Sequence, residues 1–283
     1  MKTDKTKSVK ELFDLTGRVA IITGGAGLLG CMHAETIAEA GGIPVIADIE
    51  KGGAERVATH ISNRFKIGSI SIPTDITVLE SVKELMERVL AHFGRVDILI
   101  NNAANNPKVE EIGAGRAQWS RFESFPLQTW NQDIAVGLTG AFICSQVIGT
   151  EMASGHGGVI LNILSDLALI APDQRIYQQP GVSEEEQPTK PVSYSVVKGA
   201  LLNLTRYLAA YWAEKNVRVN ALSPGGVYND QPDDFVQRLA NLIPMGRMAR
   251  VDEYKGAILF LVSDASSYMT GANLIVDGGR TAW

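Results

Sequence analysis

The sequence predicts a doubly wound α/β protein: a parallel sheet of about seven strands with helices on both faces. Three observations carry this. Short apolar runs alternate with longer amphipathic segments from Gly17 onward. The short runs are continuous and rich in β-branched residues, as strands buried on both faces are. The long polar stretches, 105–125, 173–191 and 228–246, follow the fourth, fifth and sixth runs. In open α/β sheets ligands bind beyond the carboxyl ends of the strands, so these loops are placed to line one site. No break in composition divides the 283 residues. Residues 16–283 read as one domain, and 1–15 as an N-terminal arm, mobile or loosely docked.

Residues 18–23 form the first strand, and 28–40 the helix that follows a glycine-rich turn. The second strand is 43–47 and the second helix 53–65. The third strand is 68–72. The helix 79–93 places Leu85, Val89 and Phe93 on one face, the period of an amphipathic helix. The fourth strand is 96–101, followed by a long helix from 127 to about 152. The fifth strand is 159–164, and 192–215 is another long helix. The sixth strand is 217–222, a helix spans 252–261, and 273–276 is a last short strand.

Hydrophobic residues make up 45% of the chain and charged residues 20%, ordinary for a globular protein with a sizeable core. The net charge of −5 argues against a nucleic-acid partner or an anionic membrane surface. No apolar run reads as a membrane span. The charged start, Met1 to Lys7, leads into no apolar signal core. Cys31 and Cys144 are too few for a disulfide framework, and a reducing cytoplasm is the simple inference. The four histidines, His33, His60, His92 and His156, have no metal-ligand spacing, so no metal site is expected.

Thr23-Gly24-Gly25-Ala26-Gly27-Leu28-Leu29-Gly30 joins the first strand to the first helix. Glycines there permit a tight turn and a close approach of backbone to a pyrophosphate at the positive helix end. Asp48 ends the second strand. A carboxylate there accepts hydrogen bonds from adenosine ribose hydroxyls and repels a 2′-phosphate. Ala26 and Ile49 bring no positive charge beside it, and Lys51 is equally readable as a solvated residue. NAD is therefore expected in preference to NADP. Asp75 reads either as a partner of the adenine amino group or as a cap for the next helix. In Asn101-Asn102-Ala103-Ala104, small side chains let a cofactor lie on the backbone, while the asparagines can equally tie neighbouring strand ends together.

Tyr194 and Lys198 stand at i and i+4, on one face of a helix. An ammonium near a phenol favours the phenolate, so the pair reads as a proton donor and acceptor whose tyrosine pKa is drawn down. The spacing alone is common. It gains weight from the glycine turn, from Asp48 and from Ser165 upstream.

Together the glycine turn, Asp48, Asn101-Asn102-Ala103-Ala104, Ser165, Tyr194-x-x-x-Lys198 and Pro224-Gly225 resemble the short-chain dehydrogenase/reductase family. The likeness runs from about Leu12 to Gly279 and includes Tyr268-Met269-Thr270-Gly271 and Val276-Asp277-Gly278-Gly279. It implies a Rossmann-type domain, a nicotinamide cofactor and a homotetramer or homodimer packed through the two long helices. It implies that Tyr194 exchanges a proton with the substrate oxygen, that Lys198 lowers its pKa and holds the nicotinamide ribose, and that Ser165 hydrogen-bonds the carbonyl or hydroxyl. It places Gly24, Gly27, Leu28, Leu29, Asp48 and Asp75 at the nucleotide end of the cofactor. Ile76, Asn102, Ala103, Pro224 and Val227 complete that contact, with Tyr194 and Lys198.

Three departures stand out. Leu28 occupies the place of the second motif glycine, so the turn looks like that of the extended, sugar-nucleotide branch. Gly137 stands where the family often has an asparagine that links the lysine to solvent through water. The segment joining Ser165 to Tyr194 is longer than usual. Its insertion, about 169–192, carries Arg175, Tyr177 and the glutamines Gln174, Gln178 and Gln179, which with Asn105 and Asn106 are candidates for contact with a hydroxylated or anionic substrate. The insertion, the turn, Pro244-Met245-Gly246-Arg247-Met248 and Thr281-Ala282-Trp283 resemble bacterial oxidoreductases of flagellin modification and surface-sugar biosynthesis. The reading is an oxidoreductase interconverting a hydroxyl and a carbonyl on a sugar or sugar derivative. The rivals are a reductase of 3-oxoacyl thioesters and a cofactor-binding protein with little turnover.

Overall fold

The computed structural model describes residues 6–112 and 118–283. Strand-forming apolar runs give β1 (Val19–Thr23), β2 (Ile43–Asp48), β3 (Ile70–Pro73), β4 (Ile98–Asn101), β5 (Gly158–Ile163), β6 (Val217–Pro224) and β7 (Asn273–Val276). They form one parallel sheet in the order β3-β2-β1-β4-β5-β6-β7. Strand order reverses between β1 and β4, which opens a crevice at their carboxyl ends.

The continuous apolar runs have a direct explanation in the packing. Ile21 and Ile22 are both fully buried but belong to opposite faces. On one face α2 (Leu28–Glu39), α3 (Lys51–Phe65) and α9 (Lys255–Val262) cover Ile22, Ile46 and Ile100. On the other, α4 (Leu79–Phe93), α6 (Gly140–Ser154) and α7 (Val192–Tyr211) cover Ile21, Val45 and Leu99. Each such side chain contributes about 1.5–3 kcal/mol by leaving water.

The long helix expected over 127–152 is a composite. α5 (Leu127–Ile134) passes through a π-helical turn, Ala135–Thr139, into α6. The whole run, Leu127–Ser154, is long and apolar enough to cross a membrane by length and composition, contrary to the expectation from sequence. Half of its most apolar window is buried within the fold, where α6 packs against α4 and the sheet.

Two short helices were not expected. α1 (Val9–Phe13) is closed by a capping box between Ser8 and Glu11, and Lys7 is fixed to Asp264 at 2.7 Å. Residues 6–15 of the expected arm are thus docked. Its first five residues, part of the charged start read there, lie outside the described residues, as do 113–117 of the first polar stretch. The third polar stretch contains α8 (Asp233–Ala240), which buries Phe235 and Leu239 one turn apart. They join Val109, Ile176, Tyr177, Ile243 and Met248 in a small apolar cluster. The three loops after β4, β5 and β6 therefore share a core of their own.

Candidate active site

The crevice at the carboxyl ends of β1 and β4 begins with the glycine turn. Gly24 has φ +60°, and a Cβ there would sit 2.8 Å from Ala103 Cα. A Cβ on Gly30 would sit 2.2 Å from the Gly24 carbonyl oxygen. Only glycine permits either approach. α2 starts at Leu28 behind Gly27, and among the described residues no side chain caps its first amides. The amides of Leu28 and Leu29 and the positive helix end are left for an anion. Asp48 closes the turn from β2. Its Oδ2 accepts from the Ala26 amide at 2.9 Å and its Oδ1 from the Glu50 amide at 2.9 Å. Helix amides beside a half-buried carboxylate match a pyridine dinucleotide: N–H donors for the pyrophosphate, a carboxylate acceptor for the ribose hydroxyls.

The other nucleotide-end residues divide. Asp75 accepts from the Thr77 amide and hydroxyl at 2.9 and 2.7 Å, so one carboxylate oxygen forms a turn. Ile76 is buried against Gly140. Asn102 donates to the carbonyls of Thr23 and Gly24 at 3.1 and 3.0 Å, which ties β4 to the glycine turn. Asn101 donates to Ser145 and Asn162 in a buried polar chain. Pro224 ends β6, and Val227 bridges to Ala249.

The candidate reacting groups meet where β5 ends and α7 begins. Ser165 follows β5. Its hydroxyl donates to Asp166 Oδ1 at 2.8 Å and accepts from the Leu167 amide at 3.2 Å. The other Asp166 oxygen accepts from Arg280 Nη1 at 2.7 Å, and both side chains are buried. Tyr194 and Lys198 lie on successive turns of α7. Lys198 Nζ donates to the Ile163 carbonyl at 2.7 Å and stands 5.7 Å from the Tyr194 ring centroid.

The electrostatics differ from the sequence expectation. Burial pushes the Tyr194 phenol up to about 12, against the opposing influence of the neighbouring Ser165 hydroxyl. Burial likewise brings the Lys198 ammonium down to about 8, helped by the charge of Lys190. In the protein alone, desolvation outweighs the attraction that was expected to lower the tyrosine. The ammonium is turned to a backbone carbonyl rather than to the phenol.

A second lysine stands at the same tyrosine. Lys190 Nζ lies 4.2 Å from the Tyr194 ring centroid and donates to Asn106 Oδ1 at 2.5 Å. The 189–190 segment is fixed by Thr189 bonds to Ser120 and by the Lys190 amide, which donates to Gln174 Oε1 at 2.8 Å. Burial lowers this ammonium to about 8, with Glu110 and Asp166 acting in the opposite direction.

The residues expected to meet substrate have other engagements. Asn105 Nδ2 donates to Asp133 at 3.0 Å, and Ser193 donates to the second oxygen of that buried carboxylate. Asn105 thereby joins the β4 loop to α5 and α7. The Arg175 side chain is 81% exposed and forks onto Asp173 at 2.6 Å. Tyr177 is buried, with its ring 5.4 Å from Phe235 in the loop core, and burial raises its phenol. Lys190, Asp166 and Arg280 were not foreseen. A cation four positions before Tyr194, mirroring Lys198 four positions after it, was the one local signal for Lys190. Asp166 and Arg280 stand 114 positions apart, and no local pattern links them.

Gly137 has a steric cause. A Cβ there would sit 2.5 Å from Val197 Cγ1, so α7 occupies the room a side chain needs.

A parallel sheet with a dinucleotide crevice, and a serine, tyrosine and lysine at its mouth, defines a pyridine-nucleotide-dependent oxidoreductase acting on alcohol groups. The chain belongs to the short-chain dehydrogenase family, whose model, described as short chain dehydrogenase, matches residues 18–177. A model described as enoyl-(acyl carrier protein) reductase matches 181–281. The chain is 31% identical to an NAD-dependent glycerol dehydrogenase of Listeria innocua, over 95% of this chain and 96% of that one. It is 33% identical to a D-threitol dehydrogenase of Mycolicibacterium smegmatis, over 95% of each. A gluconate 5-dehydrogenase from Burkholderia cenocepacia, solved with NADP and tartrate, superposes with a TM-score of 0.83 at 28% identity. That match covers 98% of this chain and all of the other.

Proposed function

We propose that the protein is an NAD(H)-dependent dehydrogenase of a polyhydroxylated substrate, a polyol, sugar or sugar acid. The observation that carries the reading is the grouping of Ser165, Tyr194 and Lys198 at the end of the crevice that Asp48 and the glycine turn begin. The similar proteins act on glycerol, threitol and gluconate by name, which supports a hydroxylated substrate.

A bound nicotinamide would accept or supply the hydride. Ser165 orients the substrate oxygen. Tyr194 takes its proton in oxidation or returns it in reduction, answering the charge that develops there. Lys198, once a cofactor draws its ammonium from the Ile163 carbonyl, holds the ribose and favours the phenolate. Leu28 and Leu29 offer amides to the pyrophosphate. The wall around the crevice includes Asp75, Ile76, Asn102, Ala103, Pro224 and Val227. The preference for NAD rests on Asp48, since its carboxylate repels a 2′-phosphate. The similar proteins include users of both cofactors, so the discrimination lies in this chain's own residues.

Residues 16–283 act as one catalytic unit in this reading, with 169–192 as its substrate-side insertion. A homodimer or homotetramer would bury the exposed Phe142 of α6 and the stacked Tyr207 and Tyr211 of α7. A monomer by light scattering would remove that part. The reading places the enzyme in the cytoplasm. A narrower place in flagellin or surface-sugar modification rests on the insertion, the turn and the segments 244–248 and 281–283 alone, and the similar proteins favour simpler polyol chemistry.

The test is turnover of a panel of polyols, sugars and aldonates with NAD⁺. Tyr194→Phe is expected to lose about 100- to 10,000-fold in kcat. Retention of full activity by that variant overturns the assignment. Fluorescence titration should show NADH binding more tightly than NADPH, and the reverse order overturns the cofactor preference.

A further inference from the structure

We propose that Lys190 is a specificity-determining residue that receives a carboxylate on the substrate, so that the preferred substrates are polyhydroxy carboxylates rather than neutral polyols. The proposal rests on the dehydrogenase reading above and names the substrate class of the same site.

The first ground is position. The Lys190 ammonium stands 4.2 Å from the ring centroid of Tyr194, the group that exchanges a proton with the reacting oxygen. A substrate seated on the Tyr194 hydroxyl presents a neighbouring substituent to that ammonium. The second ground is fixation. The backbone at 189–190 is held by Ser120 and Gln174, and the side chain by Asn106, so the cation is placed before any ligand arrives. A pre-placed cation loses little freedom on binding.

The third ground is charge. The ammonium has three donors, and Asn106 takes one. Among the described residues no carboxylate comes within the 4.0 Å of an ion pair with it. The other cations of the region are engaged. Arg175 is forked onto Asp173, Arg280 is buried on Asp166, and Lys198 is turned to Ile163. A partly desolvated ammonium without a counter-ion is costly unless a ligand supplies one. One free cation matches one negative charge. Glu110, close enough to influence Lys190, adds a repulsion that disfavours a dianion. A carboxylate fits this balance better than a phosphate. The exposed Arg175, which the sequence singled out, is left without this role.

Two variants separate this role from a merely structural one. Lys190→Met keeps the stem and removes the charge, and Lys190→Arg keeps the charge. Oxidation is measured with alditols and with aldonates of the same carbon number and configuration. The unaltered enzyme should prefer the aldonates. In Lys190→Met their kcat/KM should fall about 10- to 100-fold, mainly through KM. That loss should exceed the loss on alditols at least tenfold, and Lys190→Arg should recover part of it. Equal losses on both series, or a native preference for alditols, overturn the proposal.

Calorimetry of an aldonate binding to the enzyme–NADH complex keeps the two readings apart. Binding that Lys190→Met abolishes, without turnover of any alcohol, sustains the Lys190 assignment and sinks the dehydrogenase reading. Turnover of alditols with no aldonate binding does the opposite.

Discussion

At the scale of single residues, Ser165, the proposed substrate-orienting serine, is held through a residue far along the chain. Ser165 Oγ donates to Asp166, and Asp166 is neutralised by Arg280, three residues from the C-terminal Trp283. A buried ion pair has little net worth, but removing one partner strands the other charge in the protein. Asp166→Asn and Arg280→Met should each lower unfolding stability by about 3–5 kcal/mol in urea melts. The double variant should lose clearly less than the sum, because it strands no charge. Additive losses would show that the two side chains do not act as a pair. The grouping of Ser165, Tyr194 and Lys198 was legible from residue type and spacing. The electrostatic balance around them was not, because it depends on burial and on partners distant in sequence.

At the scale of elements, the junction of α5, the π-helical turn and α6 explains an anomaly of the sequence. Gly137 looks like the loss of a functional asparagine. The packing shows a different cause: Val197, on the turn of α7 that separates Tyr194 from Lys198, fills the place of the missing side chain. Position 137 and α7, which carries Tyr194 and Lys198, are therefore coupled. Restoring the side chain overpacks this contact, at a cost of about 1–3 kcal/mol. Gly137→Asn should lower the thermal midpoint and reduce activity together, as α7 is pushed aside. Adding Val197→Ala should recover most of both. If Gly137→Asn alone matches the parent protein in its melting curve, the contact is not what excludes a side chain. The same scale holds the main misreading of the sequence. Stretches 105–125, 173–191 and 228–246 read as polar loops because their apolar residues are few. Tyr177, Phe235 and Leu239 nevertheless meet in one cluster. A core assembled from three distant loops has no local period to reveal it.

At the scale of the whole molecule, strands and most helices followed from apolar runs and their lengths, since each strand carries its burial on both faces within itself. What escaped were properties that only the assembled fold creates, and His33 is one of these. It lies on α2 behind the glycine turn, 1% exposed, with its Nε2 unpartnered among the described residues. Burial lowers its pKa from 6.5 to about 4, with Asn102 opposing. Above pH 6.5 the imidazole is neutral in both folded and unfolded chains, and the native state keeps its full advantage. Between pH 6.5 and 4 the unfolded chain takes up a proton that the native state refuses, so stability falls as pH falls. The loss attributable to this one group approaches about 3 kcal/mol by pH 4. Carboxylates titrate in the same window, so total acid sensitivity is not diagnostic. The difference between the parent protein and His33→Gln is. Urea unfolding at steps from pH 7 to 4.5 should give the variant a shallower decline in stability, whatever its stability at pH 7. Parallel declines would mean that the native protein accommodates a charged His33, and that the turn behind which it is buried opens more readily than its packing implies.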